Sequence, residues 1–209
     1  VIDLLFTDGT MVDGSGAPGV PGSVAIENGR LRILATGAEV PDAYRSIPIP
    51  GMVVSPGFID LHSHSGLWLL AEPTHEPKIR QGVTTEVVGV DGLSYAPFTR
   101  PDDLAAQVEM NAGLDGRPAV PLDWDAVASY LGHFDGRSAV NVAMLIGNSA
   151  LRICAIGWDD VPADHMAMAD MRAMLREGMA EGAFGLSSGL DYPPGAYAST
   201  EELADLTAA

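Results

Sequence analysis

From Met52 onward, apolar runs of strand length alternate with segments of helical period, an order that few folds accept. Strands are expected from Val53 to His62, Thr84 to Val90, Ala139 to Ile146 and Ala183 to Ser187. Strands separated by helices read as parallel neighbours joined by crossovers, and their nearly continuous apolar character fits a sheet buried on both faces. One intervening helix is expected to be capped by Asp123 and to bury Trp124, Val127, Tyr130 and Leu131. Another spans about 163–181, with Met171, Met174, Leu175 and Met179 as its buried stripe and Gly182 at its end. Ser199 and Glu202 form a capping box for a last helix starting near Thr200. Residues 1–51 read differently, as short strands at Ile2 to Phe6, Ser23 to Glu27 and Arg30 to Ala35, with Asn28-Gly29 as a two-residue hairpin turn. The fold class is therefore α/β: a partial small β domain at 1–51, then four βα units at 52–209. A closed (β/α)8 TIM barrel takes eight strands and about 250 residues, so the second part is expected to be the N-terminal half of one.

Composition excludes several function classes. Eleven Lys and Arg against 28 Asp and Glu give a formal net charge of −17, with no basic cluster to follow a phosphate backbone or an anionic membrane. Neither nucleic acid nor membrane is an expected partner. The one cysteine, Cys154, offers no internal disulfide and fits a reducing compartment, and the chain opens without a signal-peptide pattern, so a cytoplasmic location is expected.

Barrel enzymes carry their chemistry at the C-terminal ends of the strands. His62 and His64 close the first predicted strand, Asp91 follows the second, Asn148 and Ser149 the third, and Ser187 and Ser188 the fourth. In an extended strand, residues i and i+2 share a face, so the two imidazoles converge while Leu61 and Ser63 point away. Two imidazole nitrogens and a carboxylate oxygen form an ordinary zinc donor set, and zinc supplies both a nucleophilic hydroxide and carbonyl polarisation for hydrolysis. Two solvated histidines at a strand end are the plainer reading of the pair alone.

The ordered motifs resemble those of a known superfamily. Pro56-Gly57-Phe58-Ile59-Asp60-Leu61-His62-Ser63-His64 and Gln81-Gly82-Val83-Thr84-Thr85, after a short β domain, look like the amidohydrolases. Val88-Gly89 to Gly92, Ser94, Ala96-Pro97, Asn141-Val142-Ala143 to Leu151-Arg152, and Gly185-Leu186-Ser187-Ser188-Gly189-Leu190 with Tyr192-Pro193-Pro194-Gly195 narrow the resemblance to the N-acyl-D-amino-acid deacylases, or D-aminoacylases. The resemblance implies a β-sandwich joined to a barrel that binds one or two zinc ions and hydrolyses the amide of a small substrate, an N-acylated D-amino acid. It makes His62 and His64 metal ligands. It places two further histidines and an aspartate general base in the second half of the barrel, beyond Ala209, so these 209 residues are expected to be inactive alone.

Two positions depart from the family pattern. Val90-Asp91 stands where the best-known members have Asn-Cys; Asp91 is either a replacement metal ligand, harder than a thiolate, or a loop-capping carboxylate. Gly147-Asn148-Ser149 stands where many relatives read Gly-His-Gly, and Asn148 can hydrogen-bond a substrate but not shuttle its proton. Arg152 either holds a substrate carboxylate or fixes a loop by a salt bridge, Tyr192 either lines the pocket or packs its loop, and Ser188 is a candidate substrate contact. Asp60 reads as an orienting partner of the histidine pair, and His75, His133 and His165 as surface or structural histidines. Two alternative functions remain: a cyclic-amide hydrolase, as in hydantoinase- or dihydroorotase-like relatives, and a catalytically silent fold used for binding. The first often uses a carboxylated lysine after the fourth strand, and Phe184 to Leu190 contains none.

Overall fold

Asn28 and Gly29 adopt positive φ (50° and 71°) and close the predicted hairpin in the computed structural model, which describes residues 1–40 and 42–209. The turn joins β2 (Val20–Glu27) to β3 (Arg30–Ala35), and β2 also pairs antiparallel with β1 (Leu4–Met11). Two short strands, β4 (Ser46–Pro48) and β5 (Val53–Val54), lie parallel to β1. A bulge between Phe6 and Gly9 interrupts β1, and Asp8 takes φ 64° there. Neighbouring residues Val24 and Ala25 feed separate clusters, Met11–Val24–Ile49 and Ile2–Leu5–Ala25–Leu34, as alternation across a sheet requires.

The predicted strand from Val53 to His62 is divided in two. Val53–Val54 completes the first sheet, and β6 (Phe58–Asp60) begins the second. Between them lie Ser55, Pro56 and Gly57, where the proline has no N–H to give a ladder. The chain accordingly separates into two compact units, Val1–Gly57 and Phe58–Ala209, whereas the sequence reading changes domain after residue 51.

The second unit is the half-barrel. β6, β7 (Val83–Val88), β8 (Asn141–Gly147) and β9 (Gly185–Ser187) run parallel in the order of the chain. The helical segments between and after them are α1 (Trp68–Ala71), α2 (Glu76–Ile79), α3 (Pro101–Met110), α4 (Ala112–Asp115), α5 (Val127–Gly132), α6 (Asn148–Ala155), α7 (His165–Ala180) and α8 (Thr200–Thr207), with a 3-10 turn at Gly195–Tyr197 before the last. Their core joins Val88, Met144 and Ile146 of the strands to Val127, Leu151, Met171, Leu175 and Leu206 of the helices. Trp124, Tyr130 and Phe134 pack in series, tilted and then edge-to-face, with successive ring centroids 5.1 Å apart.

Two helix expectations change. Asp123 does not cap α5: it faces His133 (3.3 Å), while the buried Trp124 indole donates to the Tyr95 carbonyl (2.7 Å) and holds the chain outside the helix until Val127. On α7, Met171 and Leu175 are buried, but Met179 is 43% exposed, and the last turn packs instead through Gly178, where a Cβ would meet Ile146 and Val127. Of the predicted capping box of α8, the Ser199 half is present, with Oγ accepting from Glu202 N–H (3.1 Å), whereas the Glu202 carboxylate turns to Arg152. Among the described residues no helix is long and apolar enough to cross a membrane.

Candidate metal centre

Convergence of His62 and His64 does not come from a continuing strand. β6 ends at Asp60, whose carboxylate accepts the main-chain N–H of His62 (3.2 Å) and pairs with Lys78. This side-chain acceptor competes with the ladder and turns the chain out of the sheet. The alternation nevertheless persists in the turn. Ser63 and Ser65 point inward, both donating to the buried Glu86 carboxylate, and Ser63 N–H bonds to the Val87 carbonyl (3.2 Å). His62 and His64 point the other way, toward Asp91. Asp60 thus bonds to the backbone of His62 and to neither imidazole ring of the pair.

The Nε2 atoms of His62 and His64 lie 3.1 Å and 3.3 Å from one oxygen of Asp91, and the rings are 5.5 Å apart. One ligand atom from each of the three residues falls within 4.8 Å of the others. Ligands at zinc's usual bond lengths and a tetrahedral angle sit about 3.3 Å apart, so the spacing and chemistry of the set fit that ion. The two histidines are unequal in burial: the His62 side chain is 63% exposed and that of His64 27%.

Asp91 is held by its backbone. It adopts φ 54°, a conformation that Asp tolerates better than most residues, and Gly92 follows at φ 72°. Gly92 N–H donates to Ser187 Oγ (3.1 Å), and its carbonyl accepts Ser149 N–H (3.2 Å). A Cβ on Gly92 would come within 2.7 Å of Gly189 N and collide with Asn148 Oδ1. Only glycine lets the loops after β7, β8 and β9 meet behind Asp91.

The expected substrate contacts divide. Asn148 is fully buried, with Oδ1 accepting Gly189 N–H and Nδ2 donating to the Gly195 carbonyl, both at 3.3 Å. Its amide ties the start of α6 to two points of the connection after β9. Arg152 is fully buried as well, paired with Glu202 and donating to the Val161 carbonyl (2.7 Å), which is the salt-bridge alternative of the sequence reading. Ser188 is exposed beyond β9, and Tyr192 is half-buried before the 3-10 turn. Of the other histidines, His75 meets the buried Glu86 (2.9 Å), His133 packs edge-on against Trp124, and His165 is exposed at the start of α7.

Two neighbours of the centre escape the sequence reading. Asp115 Oδ1 lies 3.1 Å from His64 Nδ1, and the Tyr95 hydroxyl donates to the other oxygen of the same carboxylate. Burial pushes the Asp115 carboxyl above its ordinary range, against the stabilising contacts of Tyr95 and His64. Burial, followed by the Asp115 charge, likewise raises the Tyr95 hydroxyl well above the tyrosine range, keeping it a proton donor. An Asp-Gly step at the end of a short helix has no local mark of this contact; only the fold brings it to His64.

No family model matches the chain. An N-acyl-D-aspartate deacylase of Alcaligenes xylosoxydans xylosoxydans is 36% identical over 209 residues, covering 98% of this chain and 40% of that protein. A solved D-aminoacylase with a binuclear metal centre superposes with a TM-score of 0.85 at 33% identity, over 99% of this chain and 42% of its own. An N-acyl-D-glutamate deacylase from Bordetella bronchiseptica, complexed with zinc and a phosphonate mimic of the tetrahedral intermediate, gives 0.82 at 34% identity, over 98% and 42%. The chain thus spans about two-fifths of the length of these relatives, matching their N-terminal portion.

Proposed function

We propose, since the chain belongs to the N-acyl-D-amino-acid deacylases of the amidohydrolase superfamily, that it contributes half of a zinc-dependent centre hydrolysing the amide of N-acyl-D-amino acids in the cytoplasm. The observation that carries this reading is the approach of both imidazole Nε2 atoms to one Asp91 oxygen at the C-terminal end of a parallel half-barrel. His62, His64 and Asp91 would hold the ion. Zinc, when bound, would polarise the acyl carbonyl and activate water for attack.

The chain's own residues do the rest of what is assigned here. Asp91 brings a carboxylate where the family's best-known members bring a thiolate, which favours harder ions and oxygen-rich coordination. Lys78 and Asp60 fix the turn that presents His62. Ser188 and Tyr192 are the expected substrate contacts that reach solvent, and they are assigned to the bound amino acid. Asn148 and Arg152 support the loops under them.

The test is amine release by the full-length, zinc-loaded protein from N-acetyl-D-aspartate, N-acetyl-D-glutamate and N-acetyl-D-leucine and from their L enantiomers. Turnover of at least one D substrate in preference to its enantiomer is expected. Stoichiometric zinc without hydrolysis of any of them would sink the assignment.

A further inference from the structure

We propose that Asp115 and Tyr95 are positioning residues that set the ring orientation and tautomer of His64, making it the anchoring ligand of the centre. The proposal rests on the metal-site reading above but not on the reaction.

Asp115 presents two carboxylate oxygens to two partners: Oδ1 to His64 Nδ1 at 3.1 Å, and Oδ2 to the Tyr95 hydroxyl. Oδ1 completes no hydrogen bond in this structure, and an ionised carboxylate only accepts, so the 3.1 Å approach becomes one when His64 carries its proton on Nδ1. The Nε2 lone pair is then left facing Asp91, 3.3 Å away. Metal-binding histidines characteristically give their second nitrogen to a carboxylate in this way, which fixes the ring and raises its basicity. Among the described residues, the His62 ring has a polar contact with Asp91 alone.

Burial separates this role from simple loop packing. The Asp115 side chain is 3% exposed, and a carboxylate taken out of water is costly unless what it binds repays it. The end of α4 has a docking contact apart from that carboxylate. The main-chain carbonyl of Asp115 accepts the Trp68 indole N–H (2.7 Å). The side chain is therefore free to serve His64. Tyr95 completes the arrangement from a rigid place: it is 4% exposed, its carbonyl accepts the Trp124 indole, and it is two residues from Pro97. A phenol held there keeps the carboxylate from rotating away.

The experiment uses the full-length protein and the variants Asp115→Ala, Asp115→Asn and Tyr95→Phe. Zinc affinity is measured by chelator competition, and the His64 tautomer in the metal-free protein by two-bond 15N correlation above the imidazole titration range. Asp115→Ala is expected to weaken zinc by about 10–100-fold and to release His64 into a tautomer mixture. Asp115→Asn, which keeps an acceptor without its charge, should fall between it and the parent, and Tyr95→Phe should lose several-fold. Near-UV circular dichroism establishes which variants fold; if Asp115→Ala does not, the two conservative variants decide. Parental zinc affinity within twofold and an unchanged Nδ1-protonated His64 in the folded variants would overturn the proposal. A protein that binds zinc as expected but hydrolyses nothing leaves it standing and removes only the deacylase reading. In a protein that binds no zinc, the metal-free tautomer still decides the orienting role.

Discussion

Replacing His64 by alanine is expected to weaken zinc binding by the full-length protein by roughly 100-fold or more, beyond the range typical of losing a residue that merely supports a ligand. Replacing His62 should cost less. The two imidazoles approach the same Asp91 oxygen at nearly equal distances, so distance does not distinguish them. Surroundings do. His64 is largely buried and touches carboxylates through both nitrogens, Asp91 at Nε2 and Asp115 at Nδ1. Its removal leaves the Asp115 carboxylate buried with Tyr95 alone, a second penalty on top of the lost metal bond. His62 is 63% exposed, and water can take its place on an ion with little rearrangement. Chelator competition on the two single variants gives the ranking, and deacylation assays with added zinc give its functional counterpart. Excess zinc should restore the activity lost with His62→Ala more fully than that lost with His64→Ala. An equal or larger loss of affinity in His62→Ala would show that exposure does not decide which ligand anchors the ion.

How far this centre is legible in the sequence depends on how local its causes are. The βα order is a local signal, since each strand is an apolar run and each crossover a helical period. All four predicted barrel strands occur, though the first is divided, with only Phe58–Asp60 in the barrel sheet, and the fourth begins at Gly185. The shortening of the first has local causes too, Pro56 at one side and the Asp60 carboxylate capturing His62 N–H at the other. The strand argument for His62 and His64 thus reaches a convergence that a turn produces, because i and i+2 alternation survives when Ser63 and Ser65 are pulled onto Glu86. Motif position is less informative about what a polar side chain faces. Asn148 and Arg152 lie after β8, where substrate contacts are expected, yet both turn inward, Asn148 onto the loop after β9 and Arg152 onto the distant Glu202 and the loop that follows its own helix. Asp115 and Tyr95 are the extreme case. Their partner belongs to a different βα unit, so no window of neighbouring residues contains the reason for a buried carboxylate there.

Arg152→Ala separates the two roles that the sequence leaves open for this residue. Arg152 and Glu202 are both essentially buried and form an ion pair between α6 and α8, and the guanidinium also donates to Val161 in the loop before α7. Removing the arginine strands the Glu202 carboxylate in the interior and frees that loop, which should destabilise the protein by about 3–5 kcal/mol. Because Ser199 caps α8 at Glu202 N–H, the disturbance should extend to the start of that helix. Replacing both partners together, as Arg152→Met with Glu202→Leu, should recover most of the loss. Among the described residues Arg152 Nε and Glu202 Oε1 find no partner, so the native pair is incompletely satisfied and an apolar pair of similar volume has less to make up. Urea denaturation of the parent, the single variant and the double variant measures these differences directly. The alternative role, holding a substrate carboxylate, predicts a different pattern: a raised KM in Arg152→Ala with stability within about 1 kcal/mol of the parent, and no recovery in the double variant. With the side chain fully buried against Glu202, the stability loss is the expected result.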